Sequence, residues 1–396
     1  MTDKLSLSSE VFTRGVEDII GADRLSALLA EGGTLKIKLG IDATAPFLHI
    51  GHATILWKLR ALQVAGHKVE LLLGDFTTRI GDPTGRSKTR LTISLKEIEA
   101  NAKRIKEQVK TILLSNARVL EFRKNSEWFA KMGTSDFLEI LSMVTRARLI
   151  ERDMFKERVK RGEEIYMHEF LYPVLQGYDS VMLKSDCTIV GSDQLFNESM
   201  GRFLQEKFGS PPQAIVTLQL LPGLDGKEKM SKSSNNYIAL LDSPREKFGK
   251  AMSLPDSLII DYLTVYTDVP LPEIVTWKEK LTRGENPMNA KLFFAEALVK
   301  RYHGGTAAKK ERDIFLSLFS KKEMPDGISP LHIAPGEYDG LRLLMATGVP
   351  PSKSEARRLL RERAVEVSGE VLSGGTIRVK SGDVIRVGKK KFFKIA

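Results

Sequence analysis

Lys36-Ile37-Lys38-Leu39-Gly40-Ile41-Asp42, followed by Ala43-Thr44-Ala45-Pro46-Phe47-Leu48 and His49-Ile50-Gly51-His52, is the stretch that decides the fold. Leu35, Ile37, Leu39 and Ile41 alternate with polar or small residues, the period of a partly buried strand. Asp42 to Pro46 reads as a turn. From Leu48 the apolar residues Ile50, Ile55, Leu56, Leu59, Leu62 and Val64 recur at helical spacing until Gly66, a C-terminal stop. Val69-Glu70-Leu71-Leu72-Leu73-Gly74 is a second apolar strand. Strand, loop, helix and strand make a parallel crossover, so the spacing predicts an α/β chain with a doubly wound parallel sheet and a ligand face at the strand ends.

The residue types at the helix start favour a polyanion. Unpaired backbone amides and the positive helix end attract phosphate, and His49 and His52, three apart, face one side. Gly51 lets a base approach the backbone. Far along the chain, Lys229-Met230-Ser231-Lys232-Ser233 supplies mobile ammonium charges and hydroxyl donors in a loop rich in Gly, Lys and Ser. The two runs together read as nucleotide activation, with both segments closing around one ATP.

Those two runs resemble the signature sequences of class I aminoacyl-tRNA synthetases. Three further stretches resemble the bacterial tyrosyl-tRNA synthetase family where it holds tyrosine and the adenylate: Gly81-Asp82-Pro83-Thr84-Gly85-Arg86, Tyr172-Pro173-Val174-Leu175-Gln176-Gly177-Tyr178-Asp179 and Gly191-Ser192-Asp193-Gln194. The match covers nearly the whole chain and implies a Rossmann-like catalytic domain with a helical insertion. It also implies roles. Asp82, Tyr172, Gln176 and Gln194 would bind tyrosine, the first three at its ammonium, and Asp179 would accept the phenolic hydrogen. Tyr172, Gln176 and Asp179 fall at i, i+4 and i+7, on one helix face. His49, Gly51, His52, Asp193, Gln194, Lys229 and Lys232 would bind ATP. The sequence departs from the family pattern at Lys38 and Leu39, where tyrosine and cysteine are frequent, and at Leu195, where tryptophan is. Asp42-Ala43-Thr44 lacks the usual intervening proline. One partner of the phenol is thereby left open.

The chain shows no nucleophilic serine or cysteine constellation, so the substrate carboxylate is the expected nucleophile on the α-phosphate. Thr44, His49, His52, Arg86, Arg90, Lys229 and Lys232 are the expected catalytic set, stabilising charge on the phosphates. Magnesium would accompany the pyrophosphate, with no protein metal ligands assigned. Three other readings stay open. A tryptophanyl-tRNA synthetase shares both signatures, but an indole gives no reason for an acceptor such as Asp179. A small-molecule adenylyltransferase would have little use for an RNA-binding tail, and a noncatalytic RNA-binding protein derived from a synthetase would have lost its active-site residues.

The second substrate would be a polyanion, tRNA(Tyr). Lys plus Arg number 61 against 50 Asp plus Glu, a net +11 over 396 residues, which suits phosphate backbones. Near the C-terminus, Ser352 to Arg361 reads as a basic amphipathic helix followed by short alternating strands. It resembles the S-four-like RNA-binding module, with Lys353, Arg357, Arg358, Arg361, Lys389, Lys390 and Lys391 as its candidate RNA contacts. The expected domains are 1–234, catalytic, with the helical insertion near 115–185; 235–330, α-helical and anticodon-facing; and 335–396, a small α+β module. The single Cys187 excludes an internal disulfide and argues against a cysteine-built zinc site. No run approaches the length of a membrane span, so a cytoplasmic enzyme is expected, and the resemblance implies a homodimer.

Overall fold

The structure is a computed structural model that describes residues 5–83, 93–150, 153–231, 234–320, 329–368, 370–372, 374–388 and 391–395. The chain divides into two compact units, Met1–Glu311 and Arg312–Ala396.

The first unit is built on six strands: β1 (Val16–Ile20), β2 (Lys36–Ile41), β3 (Lys68–Leu73), β4 (Leu120–Lys124), β5 (Cys187–Gly191) and β6 (Ala214–Leu218), in the order β1-β6-β5-β2-β3-β4. All neighbours are parallel except β1, which runs antiparallel to β6 at the edge. β2 and β3 pair without a slip from Lys36 opposite Lys68 to Ile41 opposite Leu73. That register follows from their crossover, the helix Ile50–Val64, whose Leu56, Leu59 and Leu62 are fully buried in one core with Ile37, Val69, Leu71, Ile189 and Val216. At about 25 cal/mol per Å² of apolar surface, burying each of those leucines contributes about 1.5–3 kcal/mol. The α/β expectation for this part of the chain is met.

Among the described residues between β4 and β5 lie five helices, the last being Met167–Leu183. That last helix packs on Leu195–Lys207 through Val174, Met200 and Leu204. The approach is close because Gly177 has no side chain: a Cβ there would lie 2.9 Å from the Met200 carbonyl carbon and 3.0 Å from the Gly201 nitrogen. After β6 come the helices Pro244–Met252, Ile259–Tyr266, Leu271–Thr282 and Pro287–His303, within the same compact unit. Tyr302 meets Trp57 of the crossover helix edge-on at 6.2 Å, so these helices brace the same element that carries the histidines.

The second unit holds a five-stranded sheet, Glu370–Val371, Val365–Val367, Val384–Val387, Lys391–Ile395 and Ser329–Leu331 in spatial order, and a two-stranded pair of Thr376–Val379 with Gly336–Asp339. The helix Lys353–Arg361 starts at Ser352, whose hydroxyl accepts from the Glu355 amide at 3.2 Å. Ala356 and Leu360, four apart, are its buried face, against Leu343, Val365 and Ile385.

The Gly177 crossing gives a stability prediction. Gly177→Val forces the two helices apart and costs roughly 1–3 kcal/mol, read as a lower thermal midpoint; an unchanged midpoint would contradict the close packing.

Candidate active site

The sheet order creates the site. From β2 the chain moves outward through β3 and β4, then returns to the other side of β2 for β5 and β6, so loops diverge at the carboxyl ends of β2 and β5 and leave a crevice. A cavity of about 350 Å³ lies there. Thr44, His49, Gly51, His52, Asp82, Tyr172, Gln176, Asp179, Asp193, Gln194 and Lys229 all line it. The structure thus gathers residues from five separate stretches of sequence. Arg86, Arg90 and Lys232 lie outside the described residues, as do Lys389 and Lys390.

At one end the two histidines cap the helix Ile50–Val64. The Gly51 amide donates to His49 Nδ1 at 3.2 Å and the His49 amide to His52 Nδ1 at 3.3 Å, with the rings 3.9 Å apart. Because each Nδ1 accepts, each ring proton resides on Nε2, leaving two N–H donors. Both rings are neutral. Burial, with help from His52 and Lys229, pulls His49 down to about 2. Burial also lowers His52, to about 4, with Lys229 adding to the fall and Asp193 opposing it. A Cβ on residue 51 would sit 3.0 Å from the His49 ring, so the space Gly51 leaves open is filled first by this imidazole.

The lysine segment is tied to that helix start by backbone pairing. Ile50 N donates to Ile238 O at 3.0 Å and Leu240 N to Leu48 O at 2.8 Å. Tyr237 stacks on Phe47 at 5.2 Å. Asn236 then organises the turn before it: its Nδ2 donates to Asp225 Oδ2 at 2.9 Å and to the Glu228 carbonyl at 3.1 Å, and its Oδ1 accepts from the Ser231 amide at 2.9 Å. Lys229 Nζ pairs with Asp193 Oδ2 at 2.7 Å, across the same end of the cavity.

The other end is acceptor-rich. Tyr172 Oη donates to Asp42 Oδ2 at 3.1 Å, and Thr77 Oγ1 to Asp42 Oδ1 at 2.8 Å. Burial and the nearby charges of Asp42 and Asp82 push the Tyr172 phenol well above its usual range, so it stays protonated. Gln194 Nε2 donates to Asp82 Oδ2 at 2.9 Å. Asp179 is 3 % exposed and accepts from Trp128 Nε1 at 3.0 Å and Asn125 Nδ2 at 3.3 Å. Burial drives its carboxyl up to about 8, against the opposing pull of Lys38 and these two donors.

Sequence reading missed several of these groups. Asp42, Thr77, Asn125, Trp128 and Glu198 hold or line the cavity without having been assigned to it. Asp42 alone had a local signal, its place at the carboxyl end of a strand. Lys38 proves fully buried, paired with Glu198 Oε2 at 2.8 Å. In the second unit, Lys353, Arg357, Arg358, Arg361 and Lys391 are all exposed. Arg358 shares its charge with Glu355 at 2.6 Å.

Residues 30–320 match the family profile of class I tRNA synthetases for tryptophan and tyrosine. The chain is 42% identical to the tyrosine–tRNA ligase of Moorella thermoacetica, over 97% of this chain and 94% of that protein. It is likewise 42% identical to that of Thermotoga maritima, over 98% and 96%. Among solved structures, a C-terminally truncated mitochondrial tyrosyl-tRNA synthetase of Aspergillus nidulans superposes with a TM-score of 0.61 at 25% identity, covering 79% of this chain and 94% of that one. The chain belongs to the class I aminoacyl-tRNA synthetases, in the family for tryptophan and tyrosine. Within that family, the full-length relatives just named are tyrosine–tRNA ligases.

The Asp179 environment sets a pH prediction. Its folded-state carboxyl, at about 8 against an ordinary 3.8, keeps a proton that the unfolded chain has lost, so the unfolded state binds fewer protons and stability falls as pH rises between those values. Asp179→Asn has no proton to lose. Thermal midpoints of the two proteins, compared from pH 5 to pH 8, should diverge in favour of the variant as pH rises; a pH-independent difference would contradict the assignment.

Proposed function

We propose that this chain is a tyrosine–tRNA ligase that works in two steps in the cavity between β2 and β5. One observation carries the reading: His49, His52 and Lys229, donors suited to phosphate, and Asp82, Tyr172, Gln176 and Asp179, groups suited to the ammonium and phenol of tyrosine, line one and the same pocket. In the first step a tyrosine carboxylate oxygen attacks the α-phosphorus of ATP. The bond from that phosphorus to the bridging oxygen breaks, giving tyrosyl-adenylate and pyrophosphate. In the second, the 2′- or 3′-hydroxyl of the terminal adenosine of tRNA(Tyr) attacks the tyrosyl carbonyl, and AMP leaves.

Positioning and electrostatics supply the catalysis. The neutral imidazoles of His49 and His52 donate Nε2–H bonds to the phosphates without carrying charge of their own. Thr44, Lys229 and Lys232, with Arg86 and Arg90, complement the negative charge that builds up as pyrophosphate departs. The Lys229–Asp193 pair opens as Lys229 turns to phosphate, which frees Asp193 for the ribose. Gly51 and Gln194 complete the nucleotide side. Magnesium arrives as part of the nucleotide substrate; among the described residues no group of three or more His, Cys, Asp or Glu side chains is gathered for a metal.

For the tRNA, the exposed side chains of Lys353, Arg357, Arg358, Arg361 and Lys391 are assigned as contacts of an S-four-like module, and Lys389 and Lys390 are assigned to it from the sequence. Residues 335–396 are assigned to it, residues 235–330 to the anticodon side, and residues 1–234 to catalysis. A homodimer is supported by large apolar side chains exposed on the helices between β4 and β5, such as Leu138 at 58 % and Met167 at 73 %. No helix among the described residues is long and apolar enough to cross a membrane, and the proposed activity is placed in the cytoplasm, a compartment where tRNA charging serves translation.

The defining experiment is exchange of labelled pyrophosphate into ATP, run with tyrosine, tryptophan and phenylalanine in parallel. Exchange should depend on tyrosine; exchange driven by tryptophan instead, or by no amino acid, would overturn the reading. Lys229→Ala should slow single-turnover adenylate formation by roughly 10²-fold or more, with little change in thermal midpoint. Near-normal adenylation would remove Lys229 from the set.

A further inference from the structure

Five side chains, three amides and two carboxylates, form a hydrogen-bonded chain along the amino-acid end of the cavity. Gln176 Nε2 donates to Glu198 Oε1 at 2.8 Å. Asn197 Nδ2 donates to Gln176 Oε1 at 2.9 Å and to Gln194 Oε1 at 3.0 Å. Gln194 Nε2 then donates to Asp82 at 2.9 Å. The two termini, Glu198 and Asp82, are carboxylates, which as ions only accept. They force both glutamine NH₂ groups outward and both carbonyls toward Asn197, whose two amide hydrogens serve them. The polarity of the chain is therefore fixed from its ends.

Glu198 holds its end because it is buried and anchored. Its side chain is 2% exposed and Lys38, 1% exposed, pairs with Oε2 at 2.8 Å, while Gln213 Nε2 donates to the same oxygen at 2.8 Å. Lys38 also donates to Ser180 Oγ at 2.7 Å. With Oε2 occupied by these two donors, Oε1 is the oxygen left to Gln176.

We propose that Glu198, held by Lys38, is a positioning residue for the amino-acid substrate: it locks the Gln176 amide so that its carbonyl oxygen, with one lone pair on Asn197, keeps the other for the substrate ammonium. The proposal rests on the assignment of Gln176 to that ammonium. Its chemistry makes a distinctive demand on Glu198→Gln. The single oxygen of the new amide stays with Lys38, which can only donate, and with Gln213, whose own carbonyl accepts from the Ser185 hydroxyl, so its NH₂ group faces Gln176. Gln176 must then flip and present its own NH₂ to the ammonium, donor against donor.

The test measures binding of two ligands by calorimetry to the full chain: tyramine, which keeps the ammonium, and 3-(4-hydroxyphenyl)propionate, which lacks it. Glu198→Gln should weaken tyramine by about tenfold or more and leave the propionate within about twofold. The double variant Gln176→Ala with Glu198→Gln should bind tyramine no more weakly than Gln176→Ala alone. If Glu198→Gln does not fold, Lys38→Met with Glu198→Met removes both charges together; it unlocks the Gln176 amide without inverting it, so a smaller loss, again confined to tyramine, is expected. Equal weakening of both ligands, no weakening by Glu198→Gln, or additive losses in the double variant would overturn the proposal while leaving Gln176 in place. An unchanged tyramine affinity in Gln176→Ala would instead overturn the assignment of Gln176, and the proposal with it.

Discussion

The short backbone pairing between residues 48–50 and 238–240 is the constraint on which the active cavity depends. Two hydrogen bonds, of 3.0 and 2.8 Å, set the lysine segment beside the helix start that carries the histidines. Without them, the imidazoles and the ammonium groups would belong to unrelated surfaces. Asn236 extends the effect, since its side-chain hydrogen bonds to residues 225, 228, 229 and 231 shape the turn that presents Lys229. Both flanks are anchored: residues 238–240 pair with the helix start, and on the β6 side Pro222 bridges Lys229 and accepts from the Tyr262 hydroxyl at 2.6 Å. The Lys229 side chain, nearly half exposed, reaches from this held backbone to Asp193.

Charge in the cavity is arranged before any ligand arrives. At the histidine end the imidazoles are neutral because backbone amides occupy Nδ1 and burial disfavours the cation. At the other end Asp42, Asp82, Asp179 and Glu198 each have protein donors, so their orientations are settled. Fixed dipoles of this kind need no reorganisation when charge moves in the transition state, which is where electrostatic catalysis gains most.

Much of this was legible in the sequence because it is periodic or contiguous. The alternation of Ile37, Leu39 and Ile41 and the helical spacing of Leu56, Leu59 and Leu62 mark the crossover, and the i, i+4, i+7 spacing places Tyr172, Gln176 and Asp179 on one helix that lines the cavity. What stayed hidden depends on contacts between distant segments. Trp128 and Asn125 reach Asp179 from the far end of β4, 51 and 54 residues away in sequence. Lys38 stood out only as a departure from the family pattern, and nothing near it in sequence indicates that a glutamate at position 198 neutralises it. Such pairings have no period, so only the folded sheet reveals them.

The central claim, that one cavity orders an aromatic amino acid and a nucleotide end to end, is tested most directly by a crystal structure with a non-hydrolysable sulfamoyl analogue of tyrosyl-adenylate. In that complex the phenol should lie at Asp179, the ammonium among Asp82, Tyr172 and Gln176, and the sulfamoyl group beside the His49 and His52 Nε2 atoms. An analogue bound in the reverse direction, or outside the crevice between β2 and β5, would contradict it.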